Sequence, residues 1–149
     1  MDELPGVVVT PLKKYGDSRG WLTELFRDDE MPEGFEPTMG YLSVTHPGVA
    51  RGPHEHRDQT DGFCFLSGTF RLTLWENRAG RPGRKVVMEV GEKNPIFITV
   101  PPGVVHAYEN VGETDAWVLN FPDRLYAGWG KKEPVDEIRH EEIDSEFRL

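Results

Sequence analysis

The sequence predicts an all-β fold, a sandwich or barrel of short strands, on three observations. Phe70, Leu72 and Leu74 alternate with Arg71 and Thr73, the period-two pattern of a half-buried strand. Short apolar runs are separated throughout by turn residues drawn from 16 Gly and 12 Pro. No segment before Pro134 sustains the 3.6-residue period of an amphipathic helix. At 149 residues the chain reads as one domain, 1–149, large enough to fold around its own core without a metal or disulfide.

The elements follow in order. Val7–Thr10, Trp21–Phe26 and Met39–Thr45 are β-rich runs bounded by Gly, Pro, Asn or Asp. Asp61–Leu66 and Thr69–Trp75 flank Ser67-Gly68, a tight-turn signal, and read as a hairpin. In the first of these strands Phe63 and Phe65 share a face with Asp61, while Cys64 and Leu66 occupy the other. A strand apolar on both faces needs cover on both sides, which predicts a homodimer. Glu76–Gly83 reads as a surface hairpin loop, followed by strands at Lys85–Val90, Ile96–Val100, Val105–Glu109 and Trp117–Phe121. The acidic tail Val135–Phe147 predicts a short helix or an edge strand, on a solvated surface or at a subunit contact.

Charge and cysteine content narrow the function. There are 17 basic and 26 acidic side chains, a net charge of −9, which argues against duplex nucleic acid or an anionic membrane as the main partner. A small phosphorylated ligand held by a few local arginines stays open. Cys64 is the single cysteine, so there is neither an intrachain disulfide nor a cysteine-based zinc site. Its two Phe neighbours mark it as a small buried hydrophobe. Met1–Gly6 lacks the basic and apolar regions of a secretory signal, and no apolar run approaches the ~20 residues of a membrane span. The expected compartment is the cytoplasm.

Three of the five histidines fall in two compact boxes: Gly48-x5-His54-x-His56-x4-Asp61-x6-Gly68, and Pro101-Pro102-Gly103-x2-His106-x3-Asn110. On a strand, His54 and His56 project to one face and Glu55 to the other. Asp61 can face them across the next turn, and the strand after the Pro-Pro-Gly turn can bring His106 to the same point. Three imidazoles and a carboxylate suit a divalent metal such as Fe, Mn, Zn, Ni or Co; without metal the same group makes a general-base pocket. His46 and His140 lie outside the boxes and read as separate surface or core histidines.

The two boxes resemble those of the cupin superfamily, over Gly48 to Asn110. Asp61 stands where that family usually has Glu, and Pro95 where its second box opens with Gly. The resemblance implies a double-stranded β-helix, the cupin jelly-roll barrel, with the site inside. A narrower resemblance covers most of the chain. Gly16-Asp17-Ser18-Arg19-Gly20-Trp21-Leu22-Thr23-Glu24-Leu25-Phe26, Arg51-Gly52-Pro53-His54 and Pro101-Pro102-Gly103-Val104-Val105-His106 are similar to segments of the dTDP-4-dehydrorhamnose 3,5-epimerases. That resemblance implies His54 as the base that removes a proton next to a 4-keto group, His106 as its helper, and Arg19 and Glu24 as nucleotide contacts. It implies no cofactor. Where those enzymes carry a Lys shortly after the base, this chain has Gln59-Thr60-Asp61. Where they carry a Tyr acid it has Asn120, and the nearest tyrosine is Tyr126. Both residues are placed in the substrate site on this alignment. The Arg-Gly-x-His-x-His pattern and the tail Asp136-Glu137-Ile138-Arg139 are also similar to the dTDP-sugar 3,4-ketoisomerases.

The remaining candidates have ordinary structural readings as well. Arg51 beside the base can take phosphate in a bidentate contact or brace a loop. Trp117, Trp129 and Tyr126 can stack on a base or sugar, although aromatics in β-barrels more often pack in the core. The leading expectation is a sugar-nucleotide isomerase acting on a dTDP-4-keto-6-deoxyhexose. Its rivals are a metal-dependent cupin of the dioxygenase type and a non-catalytic sugar- or nucleotide-binding cupin.

Overall fold

A computed structural model describes residues 4–81 and 83–149. It contains twelve strands: β1 (Val8–Pro11), β2 (Tyr15–Asp17), β3 (Gly20–Leu22), β4 (Tyr41–Thr45), β5 (Ala50–Glu55), β6 (Asp61–Phe65), β7 (Thr69–Glu76), β8 (Lys85–Gly91), β9 (Ile96–Val100), β10 (Val104–Asn110), β11 (Ala116–Asn120) and β12 (Ile138–Arg139). Among the described residues the only helical elements are three short 3-10 turns, at Asp28–Glu30, Trp129–Lys131 and His140–Glu142. The strands build two five-stranded antiparallel sheets, β1-β9-β6-β11-β4 and β12-β5-β10-β7-β8, with β2 and β3 as a separate hairpin. This is the jelly roll that the boxes imply.

Alternation decides which side chains meet between the sheets. Phe63 and Phe65 of β6 face Phe70, Leu72 and Leu74 of β7 in the main core, closed by Ile96, Ile98 and Val100 of β9. Cys64 and Leu66 turn outward and pack with Phe35, Phe97, Leu25 and Met31. The second apolar face of β6 is thus covered by the chain's own 25–35 segment. That segment, and not a partner subunit, supplies the cover that this face of β6 needs.

Most strands lie within a residue or two of their expected limits. The run Trp21–Phe26 is the main difference: β3 ends at Leu22, and Leu25 leaves the hairpin to join the outer cluster. The tail contains both of the expected alternatives, since β12 adds an edge strand to β5 and the next turn is 3-10.

Candidate active site

Side chains from both sheets line a cavity of about 860 Å³. That is within the ~300–1,000 Å³ range of small-molecule sites. His54, His56, Asp61 and His106 all line it, with Arg51, Tyr41, Tyr108 and the chain from Pro122 to Arg139. β5 and β10 pair antiparallel, with His54 directly opposite His106. Their register then slips, so that Tyr108 meets Arg51. β5 carries the extra residue there, at Gly52. Its φ is +93°, and a Cβ would stand 2.6 Å from the His106 carbonyl oxygen, so glycine is what lets the two histidine strands close.

Asp61 opens β6 and is 1% exposed. Its Oδ2 accepts from His56 Nε2 at 2.9 Å and lies 3.3 Å from His106 Nε2. Its Oδ1 accepts from Gln59 Nε2 at 2.8 Å and from Asn120 Nδ2 at 3.0 Å. Burial disfavours the charged forms of both Asp61 and His56. Their mutual hydrogen bond and charge overcome it, lowering the carboxyl to about 2 and pushing the imidazole up to about 9. His106 goes the other way: burial outweighs the attraction of Asp61 and lowers it to about 4. At neutral pH the cluster is therefore an imidazolium, a carboxylate and a neutral imidazole.

His56 Nδ1–H donates to the Asp136 carbonyl, and His106 Nδ1–H to the Val104 carbonyl at 3.2 Å. Both Nε2 atoms are thereby turned on Asp61 Oδ2. His56, Asp61 and His106 offer ligand atoms all within 4.8 Å of one another. Such a donor set, with its outer ring nitrogens fixed by carbonyls, fits a divalent cation.

His54 stands outside that trio. Its Nδ1 lies 3.3 Å from Glu137 and its Nε2 2.9 Å from Glu141. Both carboxylates come from the acidic tail. The tail is fastened at several points. Asp136 accepts from the backbone N–H groups of Arg57, Asp58 and Gln59. Buried His140 meets Glu55 at 2.7 Å and Ser145 Oγ at 2.7 Å. Phe147 packs on Trp75. Glu55, facing away from His54 on β5, is thus the anchor for the segment that reaches round to His54.

The other expected site residues divide. Arg51 sits in the cavity wall, tied to β4 through Thr45 Oγ1 at 2.9 Å and the Val44 carbonyl at 2.7 Å. Tyr126 also lines the cavity and is half-exposed. Asn120 is buried behind it, and its amide is committed to Asp61, Tyr41 Oη and Gly62 N–H. It acts on the site by holding Asp61. Arg19 is 88% exposed in the β2–β3 turn, held by Asp17 at 2.5 Å, and does not line the cavity. Glu24 lines a separate depression beside β1, 3.7 Å from Arg27.

Sequence reasoning missed Glu137, Glu141 and Tyr41. Nothing in the tail's acidity distinguished two ligands of His54 from surface charge. Tyr41 was inside an expected strand, but only the register of β4 on β11 places it opposite Asn120. Its hydroxyl accepts from Asn120 Nδ2 at 3.0 Å, and burial raises its pKa above the ordinary phenol value, keeping it protonated.

Residues 15–130 match the polysaccharide biosynthesis C-terminal domain, a stretch that runs from β2 past both histidine boxes. The chain belongs to this family. Two curated relatives agree. One is the probable low-salt glycan biosynthesis epimerase Agl13 of Haloferax volcanii, 32% identical over 85% of this chain and 83% of that protein. The other is the spore coat polysaccharide biosynthesis protein SpsL of Bacillus subtilis, 35% identical over 83% of this chain and 82% of that protein. Among solved structures, ChmJ, a 3'-monoepimerase from Streptomyces bikiniensis in complex with dTDP-quinovose, superposes with a TM-score of 0.79. That match covers 91% of this chain and 70% of ChmJ at 19% identity, and so is a likeness of fold.

Proposed function

We propose that this family member is a sugar-nucleotide epimerase or isomerase that removes a proton next to the keto group of a dTDP-4-keto-6-deoxyhexose. The observation that carries the reading is His54, held in the cavity wall between two tail carboxylates. Glu141 accepts Nε2–H and fixes the tautomer, which leaves Nδ1, on the side of cavity-lining Glu137, as the basic nitrogen. The names of the relatives support it: one is a probable glycan biosynthesis epimerase, and the structural neighbour ChmJ is a 3'-monoepimerase with a dTDP-sugar bound.

The rest of the site supplies what proton abstraction needs. Charge developing on the keto oxygen meets the His56 imidazolium and Arg51 in the cavity wall. His106 is neutral and spends its Nδ1–H on Val104, so it has no proton left to donate to substrate. Asn120 occupies the place of the phenolic acid, and Tyr41 brings a protonated hydroxyl to the cavity from the neighbouring strand. No cofactor is required for this chemistry. The exposed edge strand β4, with Leu42 and Val44 facing outward, is the surface on which the expected homodimer would form, and light scattering tests it.

Mass spectrometry in D2O, with a dTDP-4-keto-6-deoxyhexose as substrate, reads the proton loss. Deuterium uptake at one carbon is expected, slowed about a hundredfold or more in His54→Ala. No uptake with any such sugar sinks the isomerase reading. Undiminished uptake in His54→Ala keeps the activity and removes His54 as its base.

The convergence of His56, Asp61 and His106 favours a second reading, a metal-dependent cupin. Those three residues would hold a divalent cation, which supplies Lewis-acid polarisation of a carbonyl oxygen or open coordination positions for oxygen chemistry. Elemental analysis of the untagged protein separates the two: this reading requires stoichiometric metal that is lost in His106→Ala and kept in His46→Ala.

A further inference from the structure

The loop from Arg124 to Lys131 presents the most exposed large aromatic among the described residues, Trp129, at 85% exposure. An indole this exposed presents a flat apolar face that is open to a ligand. Trp129 lines the same cavity as His54, together with Tyr126, Arg124 and Lys131.

The loop's backbone is held in an unusual shape to do this. Ala127 and Lys131 have φ of +56° and +59°, left-handed conformations that non-glycine residues seldom adopt. Gly128 and Gly130 share that region, at +71° and +68°. The fold is pinned by Gly128 N–H on the Leu125 carbonyl at 2.9 Å, Lys131 N–H on the Gly128 carbonyl at 3.1 Å and Glu133 N–H on the Ala127 carbonyl at 2.8 Å. A Cβ on Gly128 would collide with the Glu133 carboxylate. Strain of this sort persists only where surrounding bonds over-determine it, and it concentrates at ligand clamps. Here its result is a fixed turn that projects an indole, with two cations on the same loop.

We infer that Trp129 is the stacking platform for the nucleobase of the substrate, and that Arg124 and Lys131 on the same loop take its diphosphate. This rests on the nucleotide-sugar reading and adds the element that recognises the nucleotide half. The geometry separates the labour: the histidines and Tyr41 sit inside the cavity on the two sheets, and Trp129 sits on a loop at its wall. A flat indole accepts any base face, so the platform contributes affinity and leaves the choice of base to other groups.

The test uses nucleotide without sugar, so that chemistry does not enter. Binding of dTDP and of UDP to the full-length protein is measured by calorimetry and by tryptophan fluorescence. Wild type is expected to bind with quenching of an exposed tryptophan. Trp129→Ala should weaken binding about five- to 150-fold, the range seen for loss of one base–aromatic stack. Trp129→Phe should keep most of the affinity while losing the quench, a pattern that a folding defect does not produce. Equal affinity of wild type and Trp129→Ala would overturn this inference and leave the nucleotide-sugar reading standing. Failure of wild type to bind either nucleotide would overturn both.

Discussion

His54, in β5, and His56, just past its end, stand two residues apart, yet they end in opposite environments. His56 is buried, and its carboxylate, Asp61, comes from the first residue of the neighbouring sheet's central strand. His54 keeps about a quarter of its side chain exposed, and its carboxylates come from a tail some eighty residues away in sequence. The first arrangement locks a charge into the core, where it polarises and supports. The second places a ring at the cavity wall between two carboxylates that the tail carries, each still partly in contact with solvent. The i, i+2 spacing puts the two rings together; the origin of the partner decides which of them can take part in proton transfer.

The largest expected effect breaks the buried side of this comparison. Asp61→Asn leaves the His56 imidazolium without its counter-ion, and removing one partner of a buried pair costs about 3–5 kcal/mol. A matching drop in unfolding free energy by denaturant titration is expected. The pH dependence should change with it. His56 is raised to about 9 from 6.5, so its contribution is complete below pH 6.5 and lost as pH rises through about 9. His106 is lowered to about 4, so stability also declines as pH falls from 6.5 toward 4. Wild type should therefore be most stable around neutral pH, and Asp61→Asn should lose the alkaline limb. An unchanged alkaline limb in the variant would show that the His56–Asp61 pair is not its source.

The next effect is on the exposed side. Glu141→Gln keeps a hydrogen-bonding group on His54 Nε2 and removes the charge that fixes the ring. Orienting partners of this kind are worth about ten- to a hundredfold. That loss should appear in the deuterium-exchange rate with the thermal midpoint unmoved, because Glu141 is partly exposed. A fall in stability without a fall in rate would assign Glu141 to the fold alone.

Much of this contrast is legible in the sequence. The alternation of Asp61 with Phe63 and Phe65 is a local fact of a strand, which β6 keeps, and the i, i+2 spacing brings His54 and His56 to one cavity although β5 ends between them. The boxes also carried His106 to the same cavity, through a fixed turn at Pro101-Pro102-Gly103. What could not be read was long-range docking. The tail's Glu137 and Glu141 look like any exposed acidic residues until His140 finds Glu55 on the far side of β5. Asn120 was placed in the site by alignment, but the cross-strand register turns its amide toward Asp61 and offers Tyr41 instead. Arg19 and Glu24 carried a motif whose position in space the motif does not contain.

The smallest effect sharpens the comparison most, because it concerns how the tail is delivered. Ser145 Oγ holds the His140 ring at 2.7 Å and accepts the Phe147 N–H at 3.1 Å. His140 in turn meets Glu55, whose neighbour on β5 is His54. Ser145→Ala removes two hydrogen bonds at a partly buried site, and each is worth about 0.5–1.5 kcal/mol. The cost should fall on the tail alone, since the tail contributes one two-residue strand to the sheet edge. Amide exchange should therefore quicken at residues 137–147 while β6, β7 and β10 stay protected. If the tail's purpose is to hold Glu141 on His54, the reaction should slow a few-fold, by an amount no greater than the opening. The double variant Glu141→Gln/Ser145→Ala should then be little slower than Glu141→Gln, because the contact that the clasp delivers is already gone. Additive losses in that cycle would mean that the tail serves the site through some other residue, and Glu137, on the other nitrogen of His54, is then the one to replace.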